Sequence, residues 1–233
     1  MYVSKSNENW ISVLHDYFVW GTTVMICDLV PLKGRKFVGN AILPRKGKYM
    51  GFELSVQLKG LNDKIIPAWL AEIRKFNMDV DIYPNFSFNN HSGFLPFKIV
   101  TYDCPNRSLN NIELLTGYEL FVNRIEESIK RQSLFTKLFS GQKQLSPIEK
   151  KLSEADTEVI FKISARDSFE FRIGWYSAAS LALLCDGVLT DLYEGVQLEG
   201  QEMIRRAHEV VLEDERLIKE NEWRVHEFKE WLG

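Results

Sequence analysis

Residues Val159 to Gln197 constrain the fold more than any other stretch, because the hydrophobic spacing changes within them between clear stops. Val159-Ile160-Phe161-Lys162-Ile163 is a β-branched and aromatic run. Phe169, Phe171 and Ile173 then alternate with Glu170 and Arg172 at the two-residue period of a strand. Two short strands, paired as a hairpin, are expected. From Tyr176 to Cys185 the spacing shifts to Ala178, Leu181, Ala182 and Cys185, which share one helical face, and Asp186-Gly187 supplies a helix stop. Val188 to Tyr193 returns as a strand that ends at Glu194-Gly195. Hairpin, helix and return strand make a small α+β unit, a scaffold that carries no chemistry by itself.

The rest of the chain repeats these two grammars. Asn7 to Trp20 has helical spacing, while Thr22–Val30 and Lys36–Leu43 read as strands on either side of a Lys33-Gly34-Arg35 turn, with a basic loop from Pro44 to Tyr49. Phe52, Leu54, Val56 and Leu58 alternate with polar neighbours in the cleanest half-buried strand of the sequence. Pro67 to Asn77 places Trp69, Leu70, Ile73 and Phe76 on one helical face. Strands are expected near Asp79–Phe88 and Phe94–Tyr102. Gly117-Tyr118-Glu119-Leu120-Phe121-Val122 repeats the Gly-aromatic-Glu-Leu-x-Val pattern of Gly51 to Val56, either through duplication or because two strands meet similar needs.

From Glu126 to Asp156 the chain turns polar, broken by Gly141 and Pro147, and reads as a helix followed by a linker. The expected organisation is an N-terminal α+β domain over 1–140, a linker over 141–156 and a C-terminal α+β unit over 157–233. Gly200 to Leu232 reads as a long charged helix, with Ile204, Val211, Ile218, Val225 and Leu232 seven residues apart. Asp214 and Asn221 interrupt the companion positions, so a single helix lying on the body is preferred and a homodimer through the heptads is the alternative. The fold class is α+β, with mixed or antiparallel sheets, packed helices and a long C-terminal helix.

Composition narrows the function classes. Over 233 residues, 45% hydrophobic and 26% charged are globular values, and a net charge of -3 gives no reason to expect nucleic-acid binding. Three cysteines without a close pair indicate neither a disulfide framework nor a thiolate zinc cluster. MYVSKSNENW has no basic-then-apolar leader, and no run approaches the ~18 apolar residues of a spanning helix. A cytoplasmic protein with no membrane association is expected.

Catalytic signatures fail in turn. His15, His91, His208 and His226 form no paired zinc motif, and phosphate-loop, dinucleotide-turn and nucleophile-elbow patterns do not occur, so neither metal nor cofactor is expected. Cys104, beside Asp103, invites a nucleophile reading but has no base that sequence can place beside it, and Cys27 and Cys185 read as small buried hydrophobes. Asp186, Asp191 and Glu194 are candidates for an acidic hydrolase or transferase site, against their plainer reading as turn residues. The stretch Asn85 to Phe94 is either a ligand-contacting loop, through Phe86, Phe88, His91 and Phe94, or a hairpin tip whose aromatics lean on the core. Trp223 and Trp231 lie off the heptad line and either dock on the body or mark a partner site.

Met50 to Leu58 followed by Pro67 to Ile73 resembles the opening strand and helix of suppressor-of-fused-like domains, which carry a Gly-aromatic-Glu-Leu strand and then a Pro-x-Trp helix. Bacterial members of that group are taken to be immunity proteins that neutralise toxins. The resemblance implies a binding protein of that kind, and the expectation is a cytoplasmic bacterial protein-binding module without chemistry of its own.

Overall fold

The strong alternation at Phe52–Leu58 forms the strand around which the sheet is laid. The computed structural model describes residues 51–89, 91–125, 145–164 and 166–231. The helix expected at 7–20, the strands at 22–30 and 36–43, the basic loop at 44–49 and the helix after Glu126 lie outside them. In chain order the elements are β1 (Phe52–Leu58), α1 (Ile66–Arg74), β2 (Met78–Ile82), β3 (Ser92–Thr101), β4 (Leu114–Arg124), α2 (Pro147–Glu154), β5 (Thr157–Ile163), α3 (Glu170–Leu184), β6 (Val188–Asp191), β7 (Val196–Leu198), α4 (Gln201–Arg216) and β8 (His226–Glu227). The eight strands form one sheet in the order β2-β3-β4-β5-β1-β6-β7, with β8 paired to the start of β4. Every strand pair is antiparallel, as in an α+β fold. β5 pairs with both β1 and β4, so strand pairing crosses the 141–156 segment.

The repeated Gly-aromatic-Glu-Leu-x-Val segments flank β5 in equivalent register. Glu53 and Glu119 stand opposite Lys162, Leu54 and Leu120 opposite Phe161, and Val56 and Val122 opposite Val159. Each strand meets the same row of β5 side chains, and similar neighbours select similar residues. Because side chains alternate across a strand, Leu54, Val56, Val159 and Phe161 face the helices, while Glu53, Glu119 and Lys162 face the other way.

Helix α3 crosses the apolar face. Gly174 permits its close approach, since a Cβ there would sit 2.4 Å from Cδ1 of Ile163. The buried indole of Trp69, on α1, donates through Nε1 to the Ser177 carbonyl at 2.8 Å and joins the two helices. The hairpin expected at 159–173 does not form. Phe169 to Ile173 instead lead into α3, and in the turn just before it the Asp167 carboxylate accepts the N–H groups of Phe169 (2.7 Å) and Glu170 (3.1 Å), two donors that the helix start leaves without a backbone partner. Their alternation misleads because both the apolar and the charged members find partners inside: Glu170 and Arg172 are buried. The helix does stop at Asp186-Gly187, but the left-handed residue is Asp186, at φ 49°. Gly187 is needed for clearance, since a Cβ would lie 2.7 Å from the Gln57 carbonyl oxygen.

The C-terminal helix is shorter than expected and ends at Arg216. Its buried side is Met203, Ala207, Val211 and Glu215, four residues apart, and this stripe sits on α3. Of the seven-residue series only Ile204 and Val211 lie on the helix, so no continuous helical seam runs to Val225, and Leu232 is outside the described residues. Beyond Arg216 the chain becomes a strap: a single 3-10 turn at Glu220–Glu222, then β8. No described helix is long and apolar enough to cross a membrane.

Candidate binding cleft

β2 ends at Ile82, opposite Phe97, while β3 begins at Ser92. Residues 92–96 of β3 therefore have β4 on one side and the loop residues 83–89 and His91 on the other, with the Tyr83 N–H donating to the Pro96 carbonyl at 3.4 Å. The loop is held by the Asp63 carboxylate, which accepts the Phe88 N–H at 2.8 Å and the Ser87 hydroxyl at 2.6 Å. Those bonds turn Phe86 and Phe88 inward, with ring centroids 6.1 and 5.3 Å from Trp69. Phe94 points the other way. It is 48% exposed and lies against Gly117, where a Cβ would be 2.7 Å from its ring, so the ring is seated on backbone and keeps its outer face open.

Tyr83, Asn85, Phe86, His91, Phe94 and Pro96 line a cavity of about 300 Å³ at this edge of the sheet. His91 bonds through Nε2 to the Gly93 carbonyl at 3.1 Å. A carbonyl only accepts, so Nε2 carries the hydrogen and Nδ1 remains an acceptor. Burial lowers the His91 pKa, opposed in part by the Gly93 bond, so the imidazole is neutral at neutral pH. The cleft is thus a mostly aromatic, uncharged recess with a few polar groups, suited to holding a side chain or a short extended segment.

The strap delivers one further aromatic residue. Ser168 N–H donates to the Arg224 carbonyl (2.8 Å), and Arg224 N–H donates to the Ser168 hydroxyl (2.9 Å). Trp223 stacks obliquely on Phe169, with centroids 5.4 Å apart. Further on, Phe228 N–H donates to the Glu113 carbonyl at 3.0 Å, the Lys98 ammonium lies 5.3 Å from the Phe228 ring, and Trp231 meets the edges of Phe228 and Tyr83 at 5.1 and 6.1 Å. Of the six aromatic and histidine residues singled out in the sequence, Phe86, His91 and Phe94 line the cleft and Trp231 borders it through Tyr83. Phe88 and Trp223 pack inward. Tyr83 was not singled out; the Tyr83-Pro84 step at a strand end was its available signal.

Each of the acidic residues has a partner of its own. The Asp186 carboxylate pairs with Lys151 at 2.7 Å, and Lys151 also meets Glu199 at 2.9 Å. Glu194 pairs with Arg206 at 2.7 Å. Asp191 is buried and accepts the Tyr193 and Glu194 N–H groups at 2.9 and 3.1 Å, the work of a turn cap; burial raises its pKa, and those two bonds oppose the rise. Among the described residues no group of three or more His, Cys, Asp or Glu is placed to hold a metal ion. The Cys104 thiol is pushed up to about 11 by burial, the opposite of an activated nucleophile.

The polar groups that sequence reasoning missed are internal. Arg172 is fully buried and donates to both oxygens of Glu215 (2.6 and 2.7 Å) and to Asp103 (2.7 Å), joining α3, α4 and the loop after β3. Its guanidinium lies 5.8 Å from the Tyr176 ring, which stacks on Phe76 at 3.9 Å. Asp167 accepts the Thr116 hydroxyl at 2.9 Å, and burial pushes its pKa up to about 6. Comparison of the chain with protein-family models, curated proteins and solved structures returns no match.

Proposed function

We propose that the chain is a protein-binding module that holds its partner at the cleft between the loop residues 83–89 and His91 on one side and the start of β3 on the other. The observation that carries this reading is Phe94, a large apolar side chain fixed by its seat on Gly117 while nearly half exposed at the mouth of a recess lined by Tyr83, Phe86 and His91. Rigid, half-exposed aromatics lose little conformational entropy on contact and are enriched where proteins bind one another. The acidic residues of the alternative hydrolase or transferase reading are each engaged in a turn or an ion pair. The resemblance of Met50–Leu58 and Pro67–Ile73 to suppressor-of-fused-like domains favours the immunity type: a cytoplasmic bacterial protein that blocks a toxin by surface complementarity.

Co-purification from the native lysate tests the reading, with Phe94→Leu and Tyr83→Leu alongside the natural chain. Leucine at position 94 still covers Gly117, and each variant is compared only once its circular dichroism spectrum matches that of the natural chain. A stoichiometric partner retained by the natural chain and depleted at least tenfold with either variant supports the cleft. A partner retained equally by all three overturns it.

A further inference from the structure

We propose that the cleft takes a cationic side chain, an arginine or lysine presented by an extended segment of the partner. This rests on the protein-binding reading and adds the chemistry of what is bound. Phe94 stands directly opposite Glu119 on the side of the sheet away from the helices, and side chains so paired have their Cβ atoms about 5 Å apart. Glu119 is therefore the cross-strand neighbour of Phe94, the residue at the mouth of the aromatic recess.

The charges on that side are unequally matched. Asp79, Asp81, Glu119, Glu53 and Glu158 share it with Lys98 and Lys162, and Arg74 also reaches Asp81 at 3.3 Å. Lys98 is already divided between Asp81 (3.3 Å) and Glu113 (3.0 Å), and Lys162 is held by Glu53 (3.2 Å) with its ammonium 5.3 Å from the Phe121 ring. Glu119 is exposed and, among the described residues, makes no ion pair or hydrogen bond. A guanidinium laid on the open face of Phe94 would meet both halves of what it needs, a π face and a carboxylate. The neutral His91 imidazole beside it adds no opposing charge and offers Nδ1 as an acceptor. An anionic side chain would instead be repelled by Glu119, since the described cation across from it, Lys162, is already held by Glu53.

The test is titration of the ¹⁵N-labelled full chain with three blocked tripeptides, Gly-Arg-Gly, Gly-Leu-Gly and Gly-Glu-Gly, followed by amide shifts. The expected result is saturable shifts at Phe94, Gly117 and Glu119 with the arginine peptide alone, weakened about three- to fivefold in Glu119→Gln and in Phe94→Leu and weakened again on raising salt. Equal affinity of the Glu119→Gln variant overturns the proposal. Saturation by the leucine or glutamate peptide but not by arginine also overturns it, while leaving the cleft a binding site. Silence from all three overturns the cation assignment, and the co-purification variants then decide the protein-binding reading separately.

Discussion

Removing Glu215 should be among the most damaging single changes to this fold. Arg172 has no exposed surface and three short bonds, two to Glu215 and one to Asp103. Glu215→Ala leaves a buried guanidinium with one carboxylate in place of two, and breaking a buried pair from one side costs about 3–5 kcal/mol. Asp103→Ala is milder, about 1–2 kcal/mol, because Asp103 is 29% exposed and water can reach the position its oxygen leaves. The double variant Arg172→Met, Glu215→Leu removes both charges and keeps apolar volume between α3 and α4, so it should be closer to the natural chain than Glu215→Ala is. Urea unfolding reads all four proteins: the Glu215→Ala midpoint should fall by more than about 1 M, for a slope of about 3 kcal/mol/M. A Glu215→Ala loss below about 1 kcal/mol, or a double variant less stable than Glu215→Ala, would contradict a costly unpaired Arg172.

Two further changes test the packing and the polar interior. Gly174→Ala improves helix propensity yet should destabilise by about 1–3 kcal/mol, because its Cβ lands 2.4 Å from Ile163 Cδ1; adding Ile163→Val should restore part of the loss, and thermal melts that show Gly174→Ala as stabilising would contradict the close approach. Asp167 makes stability depend on pH: its pKa stands above the ordinary 3.8, so its contribution is complete below that value and is lost as pH rises through about 6. Asp167→Asn keeps an acceptor for the Phe169 N–H without the charge. Its stability relative to the natural chain should therefore rise by up to about 3 kcal/mol between pH 4 and pH 7.5, and an unchanged difference across that window would count against the assignment.

The elements that were readable from sequence are those with one dry face and one wet one. β1 and α1 show it plainly, and both form at the expected places. α3 escaped at its start because Glu170 and Arg172 look like solvent-facing residues until their partners are known, and the partners of Arg172 lie 43 and 69 residues away. The C-terminal heptad series was a coincidence of spacing: the buried stripe of α4 runs at intervals of four, and beyond Arg216 the apolar residues serve a strap. The cleft was half legible. The aromatic run from Phe86 to Phe94 marked the place, but strand alternation decides that Phe94 faces out, and the meeting of Tyr83 with Trp231 depends on where β8 pins the strap. Sequence cannot separate a turn cap from a catalytic carboxylate, because both use the same residue types; the bonds to the Tyr193 and Glu194 N–H groups show Asp191 in the first use.

Site-directed photocrosslinking in the native lysate tests the binding role most directly. A benzoylphenylalanine replaces Phe94 in one form of the full chain and Tyr193, an exposed aromatic on the β6–β7 turn, in another. One dominant protein adduct is expected from position 94, absent from position 193 and suppressed in the Tyr83→Leu background. Equal adducts from both positions, or one from 193 alone, would contradict a partner seated at the cleft.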